Sequence, residues 1–149
     1  MGSRRGIGRT EVIIGIVVVV LLGAIAVPLL MRGSDKSRDV ELPLYVESIR
    51  TAEIQMMEVF EEYISADAAP RLPAQVDANP VPWEGTAGFD ELAWSPENLE
   101  EVYGSYRVVL TDEGFTVIGV ADVDGDGKRA EYSATESTAA EATADPEFR

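Results

Sequence analysis

The chain has 149 residues, of which 27 are acidic and 12 basic, giving a formal net charge of −15 at pH 7, and it contains neither cysteine nor histidine. A charge of that sign and size repels polyanions, which excludes a nucleic-acid binder. The missing residue types exclude a disulfide brace, a thiolate zinc site and cysteine or histidine catalysis; with carboxylates as the strong titrating groups near neutrality, a protein that is not an enzyme is expected.

The first long element is an apolar run. From Val12 to Met31 no residue carries a charge, and at about 1.5 Å rise per residue a helix of that length spans roughly 30 Å, the hydrocarbon thickness of a bilayer. Arg4, Arg5 and Arg9 precede it and no acid comes before Glu11, a flank pattern that orients the N-terminus to the cytoplasm. Only Glu11 and Asp35 among the acidic residues precede Asp39, so the acidic bulk of the chain is expected on the far side. Ala24-Ile25-Ala26 has the small-residue pattern of a signal-peptide cut. Apolar residues nevertheless continue through Val27, Leu29, Leu30 and Met31, which favours a retained anchor. Glu11 at the edge of such a helix is costly, about 2.5 kcal/mol if carried to the bilayer centre, unless a positive group meets it.

Gly6 followed five residues later by Glu11, the long apolar run, and Ala24-Ile25-Ala26-Val27-Pro28 together resemble the N-terminus of type IV pilins and type II secretion pseudopilins. The resemblance implies cleavage by a prepilin peptidase after Gly6, methylation of Ile7 as the first mature residue, pairing of Glu11 with the free amine of a neighbouring subunit, and a softened helix at Pro28. A buried carboxylate enforces register because leaving it unpaired is costly, and a proline removes one helical hydrogen bond and clashes with the preceding turn. The chain departs from the usual pattern at Ile7, where phenylalanine is common, and at the charged Arg9.

A polar patch, Arg32 to Asp39, leads into an amphipathic pattern of Leu42, Tyr45, Ile49, Ala52, Met56, Val59 and Tyr63. Steps of three and four predict a helix from about Asp39 to Ile64, with Glu47, Arg50, Glu53, Glu58, Glu61 and Glu62 largely between the stripe positions. Pro43 falls in its first turns. Between Asp67 and Leu99 the periodicity stops and five of the eight prolines occur, which predicts a long ordered loop pinned by Trp83, Phe89, Leu92 and Trp94. Three β-branched and apolar runs follow, Tyr106 to Thr111, Phe115 to Ala121 and Arg129 to Thr135, joined by Asp112-Glu113-Gly114 and by an Asp-rich turn. Gly88 to Pro96, Gly104-Ser105-Tyr106 and that turn are similar in order to the globular part of some Gram-negative pilin-like proteins.

Asp122, Asp124, Asp126 and Gly127 match the opening of a calcium loop, in which alternate oxygens converge on a hard cation and glycine permits the turn. An EF-hand would need a glutamate at the position held by Ser133, and Glu131 comes two residues early, so a full EF-hand is excluded. A shorter calcium loop and a solvated Asp/Gly hairpin turn both remain open.

The expected architecture is α+β: a long N-terminal hydrophobic and amphipathic helix packed on a small antiparallel sheet. In residue terms this gives a leader over 1–6, a transmembrane and assembly helix over 7–31, its amphipathic continuation over 32–66, a loop over 67–103, the sheet over 104–136 and a polar tail over 137–149. The implied function is a structural subunit of a type IV pilus or related filament, with copies of itself, related pilins, prepilin peptidase and the inner membrane as partners. The implied location is the inner membrane as a single-pass precursor, then a periplasmic or cell-surface filament. A monomeric, signal-anchored periplasmic binding domain, with calcium as its cofactor, is the alternative.

Overall fold

The computed structural model describes residues 13, 37–96, 101–122 and 124–143. The chain divides into two compact units, residues 1–32 and 33–149, and apart from Ile13 every described element belongs to the second. That unit is built on a five-stranded antiparallel sheet. Its strands are β1 (Ala66–Ala69), β4 (Ser105–Thr111), β5 (Gly114–Ala121), β6 (Ala130–Thr135) and β7 (Glu141–Ala142), side by side in the order β1-β4-β5-β6-β7. A separate two-stranded ribbon pairs β2 (Val81–Pro82) with β3 (Glu101–Val102). One long helix, α1 (Ser37–Phe60), and one short helix, α2 (Ala87–Glu91), complete the unit with a 3-10 turn at Pro73–Gln75.

Strands β4 and β5 pair along their whole length, from Ser105 opposite Val120 to Thr111 opposite Gly114. The connection is therefore the two residues Asp112 and Glu113, neither of which takes a positive φ. Two-residue hairpins ordinarily need positive φ to match strand twist; here Gly114, at φ +133°, takes up the mismatch. Alternation along β5 puts Phe115, Val117 and Gly119 on one face, and register aligns them with Leu110, Val108 and Tyr106 of β4 and with Ala134 and Tyr132 of β6.

Helix α1 lies on that face, in contact with β5 and β6. Leu42, Val46, Ile49, Glu53 and Met56 recur at alternating steps of four and three, and all five are buried together with Ala52. Burying each of the large apolar members is worth about 1.5–3 kcal/mol. Gly119 is what lets the helix approach: a Cβ there would stand 2.6 Å from Val46 Cγ2, 2.9 Å from Leu42 Cδ1 and 3.2 Å from Tyr106 Cδ1.

Polar ties fix the helix laterally. Arg50 donates from Nε to the Thr135 carbonyl at 2.6 Å and from one terminal nitrogen to the Glu136 carbonyl at 2.8 Å, while its other terminal nitrogen pairs with Glu47 at 2.8 Å. Glu47 in turn accepts from the Ala140 amide at 2.8 Å. Helix α1 ends after Phe60 because Glu61 turns into the left-handed region at φ 58°, with its amide still donating to the Met57 carbonyl at 3.0 Å.

Several sequence expectations need correction. The α+β fold led by a long N-terminal apolar helix is overturned: the described unit is mainly antiparallel sheet, and its long helix is Ser37–Phe60. No helix among the described residues is long and apolar enough to cross a membrane. The single-pass inner-membrane precursor therefore has no support. The run Val12–Met31, apart from Ile13, and the residues Gly6, Ile7, Glu11 and Pro28 lie outside the described residues. Helix α1 starts two residues earlier than expected and stops four residues sooner, so Tyr63 follows it; Pro43 is its seventh residue, where proline removes the bond to the Asp39 carbonyl.

The segment read as one loop over 67–103 contains four short elements and part of the main sheet, since β1 pairs with β4 from Ala66 opposite Val108 to Ala69 opposite Tyr106. Phe89, Leu92 and Trp94 are buried there and Trp83 is partly buried. Trp83 packs edge-on against Phe89 and Trp94 with ring centroids 5.3 and 5.2 Å apart, a favoured aromatic geometry. Trp94 also donates from Nε1 to Ser48 Oγ of α1 at 3.0 Å.

Candidate functional site

The Asp-rich connection between β5 and β6 is the one site the sequence singled out that falls among the described residues. Asp122 leaves the end of β5 with 5% of its surface exposed, while Asp124 and Asp126 are exposed. Gly125 and Gly127 both take left-handed φ, +77° and +82°, a conformation that glycine adopts without steric cost. These reversals bring one carboxylate oxygen of each of the three aspartates within 4.8 Å of the others.

Backbone amides already occupy part of that acceptor capacity. The Gly125 amide donates to Asp122 at 3.0 Å, the Asp126 amide to Asp124 at 3.2 Å and the Lys128 amide to Asp126 at 2.7 Å. The ammonium of Lys128 lies 3.9 Å from Asp126. The next residue, Arg129, donates to the Val76 and Ala74 carbonyls at 3.3 and 2.9 Å, which anchors the exit of the turn.

A hard divalent cation takes six to eight oxygen ligands, and three converging carboxylates are a partial set. Glu131 is turned to another task, accepting from the Thr143 hydroxyl at 2.9 Å, and Ser133 sits in β6 opposite Ile118 and Glu141. The arrangement thus offers a carboxylate cradle for a cation such as calcium, and it is equally a turn closed by its own amides.

Two carboxylates escaped the sequence reading, and both lie on α1. Glu41 accepts three hydrogen bonds at one oxygen, from the Tyr103 amide at 2.9 Å, the Gly104 amide at 3.2 Å and the Tyr106 hydroxyl at 2.9 Å. Burial raises its pKa, opposed by those three bonds and by Arg71. The hydroxyl of fully buried Tyr106 is pushed well above its ordinary value, by burial first and then by Glu41.

Glu53 is 0% exposed. One of its oxygens accepts the Ile64 amide at 3.0 Å and the other has no hydrogen-bond partner. Burial pushes its pKa up to about 7, against the pull of the Ile64 bond. As a charged residue of an amphipathic helix, Glu53 is expected on the outer side of α1. Its position four residues after Ile49 and three before Met56 is the signal that places it on the buried face.

No protein-family model, curated protein or solved structure matches the chain.

Proposed function

We infer that the chain is a structural, non-catalytic subunit of a pilin-like filament. What supports this is chain order: the spacing Gly6, Glu11, Pro28 within an apolar run leads into helix α1, which docks on an antiparallel sheet through Gly119. In this scheme prepilin peptidase cuts after Gly6 and Ile7 becomes the methylated N-terminus. Glu11 then meets the amine of a neighbouring copy. The sheet unit, with most of the chain's acidic residues, forms the filament's outer surface. The test is electron microscopy of cells producing the chain with a prepilin peptidase. Filaments that contain it, and that are lost in Glu11→Ala, are expected; filaments equally abundant in the variant overturn the assignment.

A second reading rests on the convergence of Asp122, Asp124 and Asp126 within 4.8 Å: a monomeric domain whose β5–β6 turn holds calcium. Calcium bound only by the folded state raises its melting temperature by mass action. A rise that disappears in Asp124→Ala is the expected sign, and an unchanged melting temperature in calcium refutes it.

A further inference from the structure

Glu53 is placed where a carboxylate is hard to ionise and where its loss would be felt. It is 0% exposed, and among the described residues no cation is bonded to it. Its single hydrogen bond, from the Ile64 amide at 3.0 Å, spans the turn at which α1 ends and the chain runs toward β1. Residues 62–65 of that junction belong to no helix or strand. The bond to Glu53 is thus a direct tie between the end of the helix and the approach to the first strand.

The surroundings offer the charged form little help. On the faces packed against α1, β5 presents Phe115 and Val117, and β6 presents Tyr132 and Ala134. On the junction itself, Tyr63 senses the charge of Glu53 and hydrogen-bonds Glu136, just beyond β6. On α1, Arg50 is one turn earlier and is committed to the Thr135 and Glu136 carbonyls and to Glu47. An ionised Glu53 would therefore sit with one oxygen unpaired in an apolar setting, with Tyr63 nearby and the nearest helix cation engaged elsewhere. Burying an unpaired charge is far more costly than burying a neutral carboxyl.

We propose that Glu53 is a proton-operated latch: neutral, it stays in the core and holds residues 61–65 against the end of α1; ionised, it favours opening of that junction while the sheet stays intact. Local openings of this kind are ordinary sub-global motions. The elevated proton affinity of the carboxyl in the closed state places the transition between the ordinary glutamate value and neutrality. Linkage then makes the opening constant rise about tenfold per pH unit across that window and level off above it.

The test is amide hydrogen exchange on the full chain between pH 5 and pH 8, corrected for base catalysis, followed at Ile64 and, as a reference for whole-domain opening, at Val117 in the middle of β5. The expected result is that protection at Ile64 is lower than at Val117 throughout and falls on the order of fiftyfold across the range. Glu53→Gln, which keeps an oxygen for the Ile64 amide but cannot ionise, should flatten the Ile64 profile. Carbon-13 detection of the Glu53 carboxyl should show a midpoint near neutrality. The latch is overturned if Ile64 and Val117 exchange with identical protection at every pH, if the carboxyl titrates near 4.5, or if the wild-type and Glu53→Gln profiles coincide.

Discussion

Gly119→Ala tests the docking of α1 on the sheet with a single methyl group. In a strand, replacing glycine by alanine is favourable by about 0.5–1 kcal/mol where space permits, because the unfolded chain loses freedom. Here the new Cβ would stand 2.6 Å from Val46 Cγ2 and 2.9 Å from Leu42 Cδ1. Leu42 can swing its terminal methyl aside, whereas Val46 is β-branched, fully buried and stiff at χ1. The helix must then lift or Val46 must leave its rotamer, an overpacking cost of about 1–3 kcal/mol. With a urea m-value of about 1–3 kcal/mol per M, the denaturation midpoint should fall by roughly 1 M. Val46→Ala removes the clashing methyl, so the double variant should be more stable than the sum of the two single effects by at least about 0.5 kcal/mol. A midpoint at or above wild type for Gly119→Ala, or strict additivity in the double variant, would refute the packing argument.

Other consequences can be measured on the same protein. Glu41→Ala strands the Tyr103 and Gly104 amides and the Tyr106 hydroxyl, and should cost about 3 kcal/mol; thermal melting reads this as a drop of more than 10 °C by the usual ratio of about 4–8 °C per kcal/mol, and a drop under about 3 °C contradicts it. Stability should also depend on pH with a definite sign. Glu53 and Glu41 have folded pKa values raised above the ordinary 4.5, so their contribution is fully present below 4.5 and declines as pH rises, for Glu53 by about 3 kcal/mol by pH 7. Asp77 acts oppositely: hydrogen bonds from Asn79 lower its pKa, so its small stabilisation is present above the ordinary aspartate value and lost as pH falls through the lowered one. Urea midpoints at pH 5 and pH 8 should therefore decrease toward pH 8 in wild type and much less in Glu53→Gln; equal slopes would show that Glu53 is not the main titrating group. Arg50→Ala, which loses its bonds to the Thr135 and Glu136 carbonyls, should lower stability by about 1–2 kcal/mol, and a change below about 0.5 kcal/mol by urea denaturation would show that these ties are incidental.

The central sheet was readable because β4 and β5 are rich in β-branched and aromatic residues, and Asp112-Glu113-Gly114 marks the tight hairpin. Strand β1 was not readable: Ala-Asp-Ala-Ala has weak β-propensity, and it becomes a strand through pairing with β4. The two-residue strands of the ribbon carry no local periodicity at all. The amphipathic stripe of α1 was legible in period and largely in phase, since Leu42, Ile49, Ala52 and Met56 are buried; the exception is a charge expected to face water. Glu53 belongs to the buried face, and only the fold, by bringing the Ile64 amide to it, shows why that carboxylate is tolerated there. Helix length was overestimated for a related reason: Tyr63 continues the apolar spacing, but it reaches the core from the junction, packing edge-on against Phe115 at 4.9 Å between ring centroids. The Asp-rich segment was legible as a turn, since its aspartates and glycines act locally. The roles of Gly6, Ile7, Glu11 and Pro28 rest on spacing alone.

Those four residues make the mature N-terminus the most direct test of the filament assignment. Intact-mass and N-terminal peptide mass spectrometry of the chain, isolated from cells that contain a prepilin peptidase, should find a product that begins at Ile7 and carries one methyl group on its terminal amine. A chain that begins at Met1, or at Val27 after the Ala24-Ile25-Ala26 pattern, would contradict it.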